Sequence, residues 1–536
     1  MAHFMHDVLA SLVKHSSLPL LKRFTGSPTR PSWESISYGE YLVDLEKMAA
    51  YWFDRLSSQG VKESGVVGLW LSGTSPTNLV HLYAICRAGF IPQVFSVRLA
   101  APGPIAINKL LNACGGTVLI HDQQFSEILA DFPLAKLVAP DISTVKPLSI
   151  TLPELPQVQG SDIAMIFHTS GTTSGMPKPI PETHSWLTFQ AKVQWPGAWQ
   201  GKLKTQTTLN NLGAFTAVGS ATCINYLSWS GQCVVQTSAT NFGADELLAM
   251  IRECGLNNLL LYAPWFSNLL SIARKNAEVL EALRGMTQIA YTGAALNPED
   301  EAWIIEQDLP ATALYATTES DLSDRQSLPA MRVVKGTKCR FIPASLDTSD
   351  LDSNSEKRSR GGRLFDFFIP DDTPNCPHPS VRNRPDGHIT GDLFEEIQPG
   401  YYAFRGRNDD WIRVSNNRYF CDTKSIEDNI LKTCSDFVQN CVLVGHYKPR
   451  LVLFAEPFVA IQDDEEIHAF KERILQRHSE FNSQLYESER INSPLQIVVA
   501  APGSLPRTKE KGNIRRKAAE DEHAELLKSI YEKLEV

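Results

Sequence analysis

The segment from His168 to Ile180, HTSGTTSGMPKPI, places two glycines, five hydroxyl side chains and a lysine directly after the apolar run IAMIF. Glycines let a backbone turn tightly and approach a ligand closely, and amide N–H groups and hydroxyls donate hydrogen bonds to phosphate oxygens. The spacing is not that of the common P-loop, because three residues separate Gly171 from Gly175, and Met176 and Pro177 precede Lys178. The segment predicts a phosphate-binding loop, with an ordinary flexible Gly/Ser loop as the alternative.

The bulk properties limit the classes of function. A chain of 536 residues exceeds what one hydrophobic core usually supports, so two or more domains are expected. The net charge of −9, without a sustained basic stripe, argues against nucleic acid as the main partner and leaves a nucleotide open. The ten cysteines show no zinc-ligand spacing and are expected to be reduced thiols. We find no signal peptide or transmembrane-length apolar stretch, which predicts a soluble cytoplasmic protein.

Segments before and after this loop alternate between helix-like and strand-like patterns, which predicts an α/β architecture. Between residues 39 and 120 the helix-like segment YGEYLVDLEKMAAYWFDRL alternates with the apolar runs GVVGLWLSG and GGTVLIHD, and NNLLLYAP and MTQIAYTGAAL repeat the pattern. Around residues 345 to 390 the stretches SLDTSDLDSNSEKRSRGG and PDDTPNCPHPSVRNRPDG are polar and rich in Pro, Asp, Ser and Asn, which predicts loops. A smaller α/β unit follows GRNDDWIRV and ends in one charged helix, RRKAAEDEHAELLKSIYEKLEV. We place a domain boundary near Asn408 to Asp410.

Further stretches accompany the loop, namely YTGAAL, LYATTES, HITGDLF, FRGRNDDWIRV and LPRTKEKGNIRRKA. In order and wording these stretches resemble the adenylate-forming superfamily of acyl-CoA synthetases, adenylation domains of nonribosomal peptide synthetases, and luciferases, over nearly the whole chain. By this resemblance Glu319 in LYATTES would bind Mg²⁺, a hard cation that prefers oxygen ligands. Asp392 in HITGDLF would likewise bind the ribose, since a carboxylate can accept two hydrogen bonds at once from vicinal hydroxyls.

The resemblance implies a fold and a division of labour. The fold class expected is α/β, with a large N-terminal adenylate-forming domain over residues 1–407 and a smaller, mobile α+β lid domain over residues 411–536. Residues 408–410 would form the hinge, with Asp409 as the pivot about which the lid rotates between two half-reactions. A hinge is a short segment that absorbs large dihedral changes, and a polar loop can do so.

The resemblance also implies the residues that bind ATP and Mg²⁺. The phosphate loop would close over the triphosphate, Tyr315 would stack near the adenine, and Asp392 would bind both ribose hydroxyls with support from Arg407. Ala316 stands where the family usually has glycine. The nucleotide-binding set implied is Thr169, Ser170, Gly171, Thr172, Thr173, Ser174, Gly175, Gly293, Ala294, Tyr315, Asp392 and Arg407.

Four residues are implied to be catalytic: Lys178 at the β and γ phosphates, Thr318 at the α-phosphate, Glu319 as the Mg²⁺ ligand, and Lys511 on the lid. Attack of a carboxylate on the α-phosphorus builds negative charge between two anionic groups, which a lysine can stabilise. Many relatives have this lysine after the glycine, whereas here Lys511 precedes Gly512. Lys509 is therefore kept as the alternative.

The acid that is activated is predicted only by class. FTAVG, from Phe215 to Gly219, matches the Phe-x-x-x-Gly pattern of the family. Amino-acid-activating relatives have an aspartate after that phenylalanine to pair with the substrate ammonium, and here the residue is Thr216. We therefore expect a non-amino acid, of aryl, alkyl or α-keto type. The pocket candidates are Phe215, Thr216, Pro264 and Thr292, together with Gly293.

The acceptor of the acyl group is expected to be a phosphopantetheine thiol. GRNDDWIRV, CDTKSIEDNI and FSVRLAAPGPIAINKLL look most like adenylation domains of fungal NRPS-like enzymes and carboxylic acid reductases, which pass the acyl group to a carrier domain. The chain ends at Val536 without room for such a domain, so we expect either an excised adenylation domain or an acceptor that arrives separately. A free-standing acyl-CoA ligase and a non-catalytic nucleotide-binding module are the alternatives.

Overall fold

A computed structural model describes residues 3–27, 29–72, 76–100, 103–168, 177–199, 208–210, 221–222, 230–239, 242–293, 296, 298–316, 321–322, 331–344, 364–408, 411–414, 419–483, 485, 487–507 and 514–534. The chain divides into two compact units. Unit 1 comprises Met1–Thr169, Lys178–Arg340 and Ile369–His388, and unit 2 comprises Ser170–Pro177, Phe341–Phe368 and Ile389–Val536. No helix in the described part of the chain combines the length and the apolar character that a membrane crossing needs.

The helices of unit 1 form where the sequence has amphipathic period and end signals. The segment YGEYLVDLEKMAAYWFDRL lies within a helix that begins after Ser37, whose side chain and that of Glu40 form a reciprocal capping box. In chain order the helices are α1 Phe4–Lys14, α2 Tyr38–Ser58, α3 Pro76–Arg87, α4 Pro104–Ala113, α5 His184–Phe189, α6 Trp195–Ala198, α7 Ala244–Cys254, α8 Ala263–Ala273, α9 Ala277–Arg284 and α10 Pro298–Glu306, with a π-helical turn over Gln190–Gln194 between α5 and α6.

The strands of this part of the chain are short, and many are buried along their length, as expected of parallel strands covered on both faces. They are β1 Pro19–Phe24, β2 Trp33–Ser37, β3 Val66–Trp70, β4 Ile91–Val94, β5 Val118–His121, β6 Ala135–Val138, β7 Ile163–His168, β8 Pro179–Thr183, β9 Thr208–Asn210, β10 Cys233–Val235, β11 Asn258–Tyr262, β12 Gln288–Thr292, β13 Ala311–Ala313, β14 Tyr315–Ala316 and β15 Asp321–Leu322.

Two mostly parallel sheets form the frame of unit 1. One has the order β13-β12-β11-β9-β10-β1-β2, and the other has the order β6-β5-β3-β4-β7-β8. Each sheet has one antiparallel edge, formed by β2 against β1 and by β8 against β7. The apolar runs predicted as strands correspond to β3, β5, β11 and β12, so the predicted α/β rhythm is confirmed in these elements.

Unit 2 combines short sheets with a few helices. The elements between residues 340 and 534 are β16 Arg340–Pro343, β17 Leu364–Pro370, β18 Gly387–Gln398, β19 Tyr401–Arg407, β20 Trp411–Val414, β21 Tyr419–Asp422, β22 Val438–Val444, β23 Val452–Pro457, β24 Ile497–Val499, α11 Thr423–Thr433, α12 Asp464–Ser483, α13 Arg516–Glu522 and α14 Ala524–Leu534. One four-stranded sheet has the order β16-β17-β18-β19. β22 pairs antiparallel with β23, and β23 pairs parallel with β24.

The C-terminal segment predicted as one charged helix is two helices, so that prediction was wrong. His523 leaves the helical conformation between α13 and α14, and its Nδ1 lies 3.0 Å from the carbonyl oxygen of Ala519. The break occurs where both helices contribute apolar residues to one cluster, which contains Ala519 from α13 and Leu527 and Ile530 from α14. Packing on a shared core therefore outweighs continuation of the helix.

Candidate active site

The predicted phosphate loop connects two antiparallel strands at a sheet edge of unit 1. His168 at the end of β7 pairs in register with Pro179 at the start of β8. Lys178 is exposed directly before β8. Thr169, Ser170, Gly171, Thr172, Thr173, Ser174 and Gly175 lie outside the described residues. The strand pair therefore fixes the positions at which the chain enters and leaves this loop.

His168 is a residue at this edge that the sequence analysis missed. Its Nδ1 lies 2.9 Å from the carbonyl oxygen of Val94, and its Nε2 lies 3.1 Å from the Gln93 amide nitrogen. Because Gln93 Nε2 and the Val94 carbonyl can only donate and accept respectively, these partners require the tautomer with the proton on Nδ1. Burial lowers the pKa of His168 to about 4, so the ring is neutral at neutral pH. A histidine that ends an apolar strand directly before a glycine-rich loop was the available signal.

Gly293 lies at the carboxyl end of β12, beside a tyrosine from the neighbouring strand. Tyr262 at the end of β11 pairs in register with Thr292. Gly293 has a φ of +87°, and a Cβ added there would lie 2.8 Å from Cδ1 of Tyr262. Only glycine fits this combination of left-handed backbone and close ring contact. The turn therefore presents backbone with little bulk, as a site for a flat ring requires.

Thr292 and Pro264, the two described pocket candidates, also lie at these strand ends. Thr292 is buried, and its hydroxyl oxygen has no hydrogen-bond partner among the residues that the structure describes. A buried hydroxyl without a partner is uncommon in proteins and marks a position where a ligand or a water can bind. Pro264 is exposed in the first turn of α8, which follows β11. Ala294, Phe215 and Thr216 lie outside the described residues.

Tyr315 follows the next strand along the sheet. β13 pairs parallel with β12, and the amide of Leu314 donates to the carbonyl of Tyr291 at 2.7 Å. Tyr315 is half-buried and pairs with Leu322 in the small β14–β15 ribbon. Because the carboxyl ends of parallel strands meet at one edge of a sheet, Pro264, Thr292, Gly293 and Tyr315 share that edge. Thr318 and Glu319 lie outside the described residues.

Asp392 and Arg407 face each other in unit 2. The two residues are register partners on the antiparallel strands β18 and β19, and Arg407 Nη1 lies 3.3 Å from Asp392 Oδ1. The Asp392 side chain is 5% exposed, whereas that of Arg407 is 47% exposed. Gly391 has a φ of +79°, and a Cβ there would lie 3.1 Å from Arg407 Nη2. A buried carboxylate beside a cation can accept hydrogen bonds from hydroxyl groups.

A hydrogen bond joins the residues before and after the predicted hinge. The Trp411 indole Nε1–H donates to the carbonyl of Arg405 at 2.8 Å, and Arg405 Nε donates to Glu395 Oε2 at 2.7 Å. Trp411 is buried in a cluster with residues of β17 and β18. Asp409 itself lies outside the described residues, so its role as pivot stays a prediction.

The residues that flank the predicted lysine segment are also described. Arg507 forms an antiparallel bridge with Ile514, and the amide of Arg515 donates to the carbonyl of Pro506 at 2.8 Å. Lys509 and Lys511 lie between them, outside the described residues. The roles of both lysines stay predictions.

Comparison with known proteins adds to this geometry. The protein family described as AMP-binding enzyme matches residues 21–323. The family described as AMP-binding enzyme C-terminal domain matches residues 409–535. The AMP-binding domain-containing enzyme iboA of Amanita muscaria is 30% identical over 506 residues, which cover 92% of this chain and 95% of that protein. The adenylate-forming reductase stbB of Stachybotrys bisbyi is 26% identical over 478 residues, which cover 85% of this chain and 42% of that protein.

Solved structures show the same fold. The O-succinylbenzoate coenzyme A synthetase (MenE) from Bacillus subtilis, in complex with AMP, superposes with a TM-score of 0.71 at 14% identity and covers 95% of this chain and 97% of that one. The chain therefore spans nearly all of the first relative and of this structure, but less than half of the reductase. The predicted α/β fold, with a large domain and a smaller C-terminal domain, is confirmed by this likeness.

Proposed function

Because the chain belongs to the AMP-binding enzyme family, whose members are adenylate-forming ligases, we propose that it activates a non-amino carboxylic acid with MgATP and then acylates a phosphopantetheine thiol. The resemblance seen in the sequence is confirmed by the family match, and activation of a carboxylic acid as an adenylate follows from it. The class of acid and the acceptor are the parts that we add.

The observation that carries the proposal is the Asp392–Arg407 pair. Asp392 lies in the stretch predicted to bind the ribose hydroxyls, and its carboxylate is buried and beside a guanidinium. Burying a carboxylate costs free energy unless it is paired and hydrogen-bonded. A carboxylate of this kind can accept two hydrogen bonds at once, which is the geometry that a vicinal diol offers. In unit 1, the Thr292 hydroxyl, which lacks a partner within the described ranges, and the ring-lined turn at Gly293 support a ligand at the strand ends.

The first half-reaction would proceed by in-line displacement. A carboxylate oxygen of the acid attacks the α-phosphorus, the bond from that phosphorus to the α,β-bridging oxygen breaks, and pyrophosphate leaves with the electron pair. Lys511 would stabilise the charge that builds between the two anionic groups, while Lys178 offsets charge on the leaving phosphates. Glu319 has the carboxylate chemistry that suits Mg²⁺, which would supply further positive charge at the phosphates.

The second half-reaction would release AMP. The thiol sulfur attacks the acyl carbonyl carbon, the bond from that carbon to the phosphate oxygen breaks, and AMP leaves with the electron pair while the thiol proton passes to a base or water. A rotation about Asp409 would withdraw Lys511 before this step. Coenzyme A and carrier domains present the same phosphopantetheine thiol, so the chemistry alone does not separate them.

The proposed reaction is tested by pyrophosphate release. The chain is incubated with MgATP and a panel of aryl, alkyl, α-keto and amino acids, and hydroxylamine traps the acyl-adenylate. We expect release with one non-amino class, and the hydroxamate formed identifies the acid. Release with α-amino acids alone would contradict the assignment based on Thr216. Tight ATP binding without release on any acid would contradict the proposed activity.

The acceptor is tested separately, with the acid found in the first experiment. We expect thioester formation on a carrier protein bearing phosphopantetheine, and little acylation of free coenzyme A. The reason is that the adenylate-forming reductase stbB is similar to 85% of this chain. Rapid acylation of free coenzyme A would favour a free-standing acyl-CoA ligase.

A further inference from the structure

Two buried glutamates of unit 2 bind the arginines on either side of residues 508–513. Glu456, on β23, is 0% exposed, and Arg507 Nη1 lies 3.2 Å from its Oε1 while Nη2 bonds its Oε2. Glu427, on α11, is buried, and Arg516 approaches its two oxygens with Nη1 at 2.5 Å and Nη2 at 3.4 Å. Each arginine therefore faces its glutamate with both terminal nitrogens, the geometry with the most directional strength.

Both carboxylates are fixed by further donors. The amide of Leu505 and the side-chain amide of Asn440 donate to Glu456 at 2.9 and 3.2 Å. The amide of Leu443 donates to Glu427 at 2.7 Å. Asn440 and Leu443 lie on the same strand, β22, so one strand orients both glutamates. Strand β22 thus supports both ion pairs within unit 2.

The backbone joins the two ion pairs as well. Arg507 and Ile514 form an antiparallel bridge, and the amide of Arg515 donates to the carbonyl of Pro506 at 2.8 Å. Arg516 also donates to the carbonyl of Leu443, next to its bond with the glutamate. The chain therefore enters and leaves residues 508–513 at one place, with an ion pair at each end.

Stability alone is a poor explanation for this arrangement. A buried ion pair is often no more stabilising than apolar residues of similar volume, because both charges lose their hydration. What a bidentate pair supplies is a defined direction and distance, and a misplacement of about 1 Å in a reacting group costs about a hundredfold in rate. Two such pairs give the chain on either side of residues 508–513 a defined geometry.

We propose that Glu427 and Glu456 are positioning residues for acyl-adenylate formation, and that they place Lys511 through Arg516 and Arg507. The inference rests on the proposed role of Lys511. Neither glutamate is assigned a contact with ATP or the acid, so neither is a catalytic residue. Their effect is confined to the half-reaction in which Lys511 acts, which separates positioning from a general role in folding.

The test uses Glu456→Gln and Glu427→Gln in the full chain, because glutamine keeps the volume and the acceptor oxygen and removes the charge. Single-turnover acyl-AMP formation is measured first, and acyl transfer from purified acyl-AMP to the thiol is measured second. We expect the first rate to fall about tenfold to a hundredfold, as for a misplaced group. The second rate is expected to stay within about twofold, because Lys511 is not used there.

Glu487→Gln is the matched control. Glu487 also pairs with an arginine of unit 2, Arg450, but its side chain is 79% exposed, and neither residue of the pair flanks residues 508–513 in the sequence. This variant is expected to match the wild type in both half-reactions. Arg507→Lys keeps the charge without the bidentate geometry and is expected to lose less activity than Arg507→Gln. Equal losses in both half-reactions, or variants that form acyl-AMP as fast as the wild type, would overturn the proposal.

Amide hydrogen exchange makes the inference separable from the proposed function, because it needs no substrate. Peptides that cover residues 508–513 are expected to exchange faster in the two glutamine variants than in the wild type and the Glu487→Gln control, while peptides of β22 keep their protection. Unchanged exchange in these peptides counts against the anchoring. A wild-type chain that activates no acid contradicts the proposed function, and the exchange result then stands on its own.

Discussion

Units 1 and 2 position their candidate site residues by different physical means. In unit 1 the strand ends present a glycine turn against a tyrosine ring and a buried hydroxyl, so shape and backbone conformation dominate. In unit 2 the residues that matter are charged: Asp392 faces Arg407, and Glu427 and Glu456 bind arginines. Flat apolar groups are recognised mainly by shape, and hydroxyls or developing charge by fixed polar groups.

The two units should therefore tolerate different kinds of substitution. A change of volume should be most harmful at the strand ends of unit 1, because interiors are close-packed and the glycine turn leaves no space for a Cβ. A change of charge at constant volume should be most harmful in unit 2, because an unpaired buried charge is costly.

The largest effect is expected from Lys511→Ala. Loss of a cation aimed at the developing charge should reduce acyl-AMP formation by about a hundredfold to a thousandfold, with ATP affinity preserved. Pyrophosphate release and equilibrium ATP binding are the two measurements, and Lys509→Ala is the control. If Lys509→Ala shows the large loss and Lys511→Ala does not, Lys509 is the lid lysine. Unchanged pyrophosphate release in both variants would show that neither lysine stabilises the developing charge.

Asp392→Asn should come next. Asparagine keeps the shape but loses the charge that strengthens hydrogen bonds to hydroxyls, so we expect ATP binding to weaken about tenfold to a hundredfold. The wild type should discriminate against 2′-deoxy-ATP and the variant should do so much less. Glu395→Gln is the control, since Glu395 is also buried and paired with an arginine on the same two strands. An equal loss in the control would show that any ion pair of this sheet matters.

Gly293→Ala tests the contribution of shape in unit 1. The added Cβ would require a left-handed backbone and would lie 2.8 Å from the Tyr262 ring. The control is Gly255→Ala, because Gly255 has a φ of +67° but no atom within 4 Å of an added Cβ. We expect Gly293→Ala to reduce the free energy of unfolding by about 1–3 kcal/mol more than the control. Urea unfolding measures this difference, and equal losses would show that backbone strain alone requires the glycine.

The smallest effect at neutral pH is expected from the buried histidines, which are unevenly divided. Among the described residues, burial lowers the pKa of His478 of unit 2 to about 4, whereas unit 1 has His3 with a pKa lowered to about 3 and His81, His168, His184 and His388 with a pKa lowered to about 4. These imidazoles are neutral in the folded chain, whereas unfolded histidines bind protons below about pH 6.5. Acidification therefore favours unfolding.

The resulting loss of stability begins near the unfolded pKa of about 6.5 and continues as the pH falls through the folded values near 4. We expect unit 1 to lose more stability than unit 2 when the pH falls from about 7 to about 5. Urea unfolding at both pH values, followed by pulsed deuterium labelling of peptides from each unit, measures this. An equal loss in the two units would contradict the expectation.

Much of the frame could be predicted from the sequence. The runs VLIH and NLLLY are continuous and apolar, which is typical of parallel strands, and both are buried strands of unit 1. Asp392 and Arg407 were predicted to act together from their motifs. That they are direct neighbours across β18 and β19 could not be predicted, because the pairing contains a register shift next to Asp392.

The buried ion pairs of Glu427 and Glu456 in unit 2 could not be predicted for a different reason. Glu427 lies in SIEDN and Glu456 in FAEP, and each resembles an ordinary surface glutamate until its arginine is known. Those arginines are 89 and 51 residues away along the chain. Long-range ion pairs leave no periodic signal, whereas a helix such as α2 has both an apolar stripe and a capping box within one segment.

The bond from the Trp411 indole to the carbonyl of Arg405 has an optical consequence. The indole is buried in a cluster with Ala344, Leu364 and Leu393. The predicted pivot, Asp409, lies in the sequence between Arg405 and Trp411, the two residues that this bond joins. A rotation that carries residue 411 away must break this bond and expose the ring to water, which shifts tryptophan emission to longer wavelength. A rotation that begins beyond residue 411 leaves the emission unchanged. Emission from Trp411 would therefore report whether the predicted lid rotation begins before or after this residue.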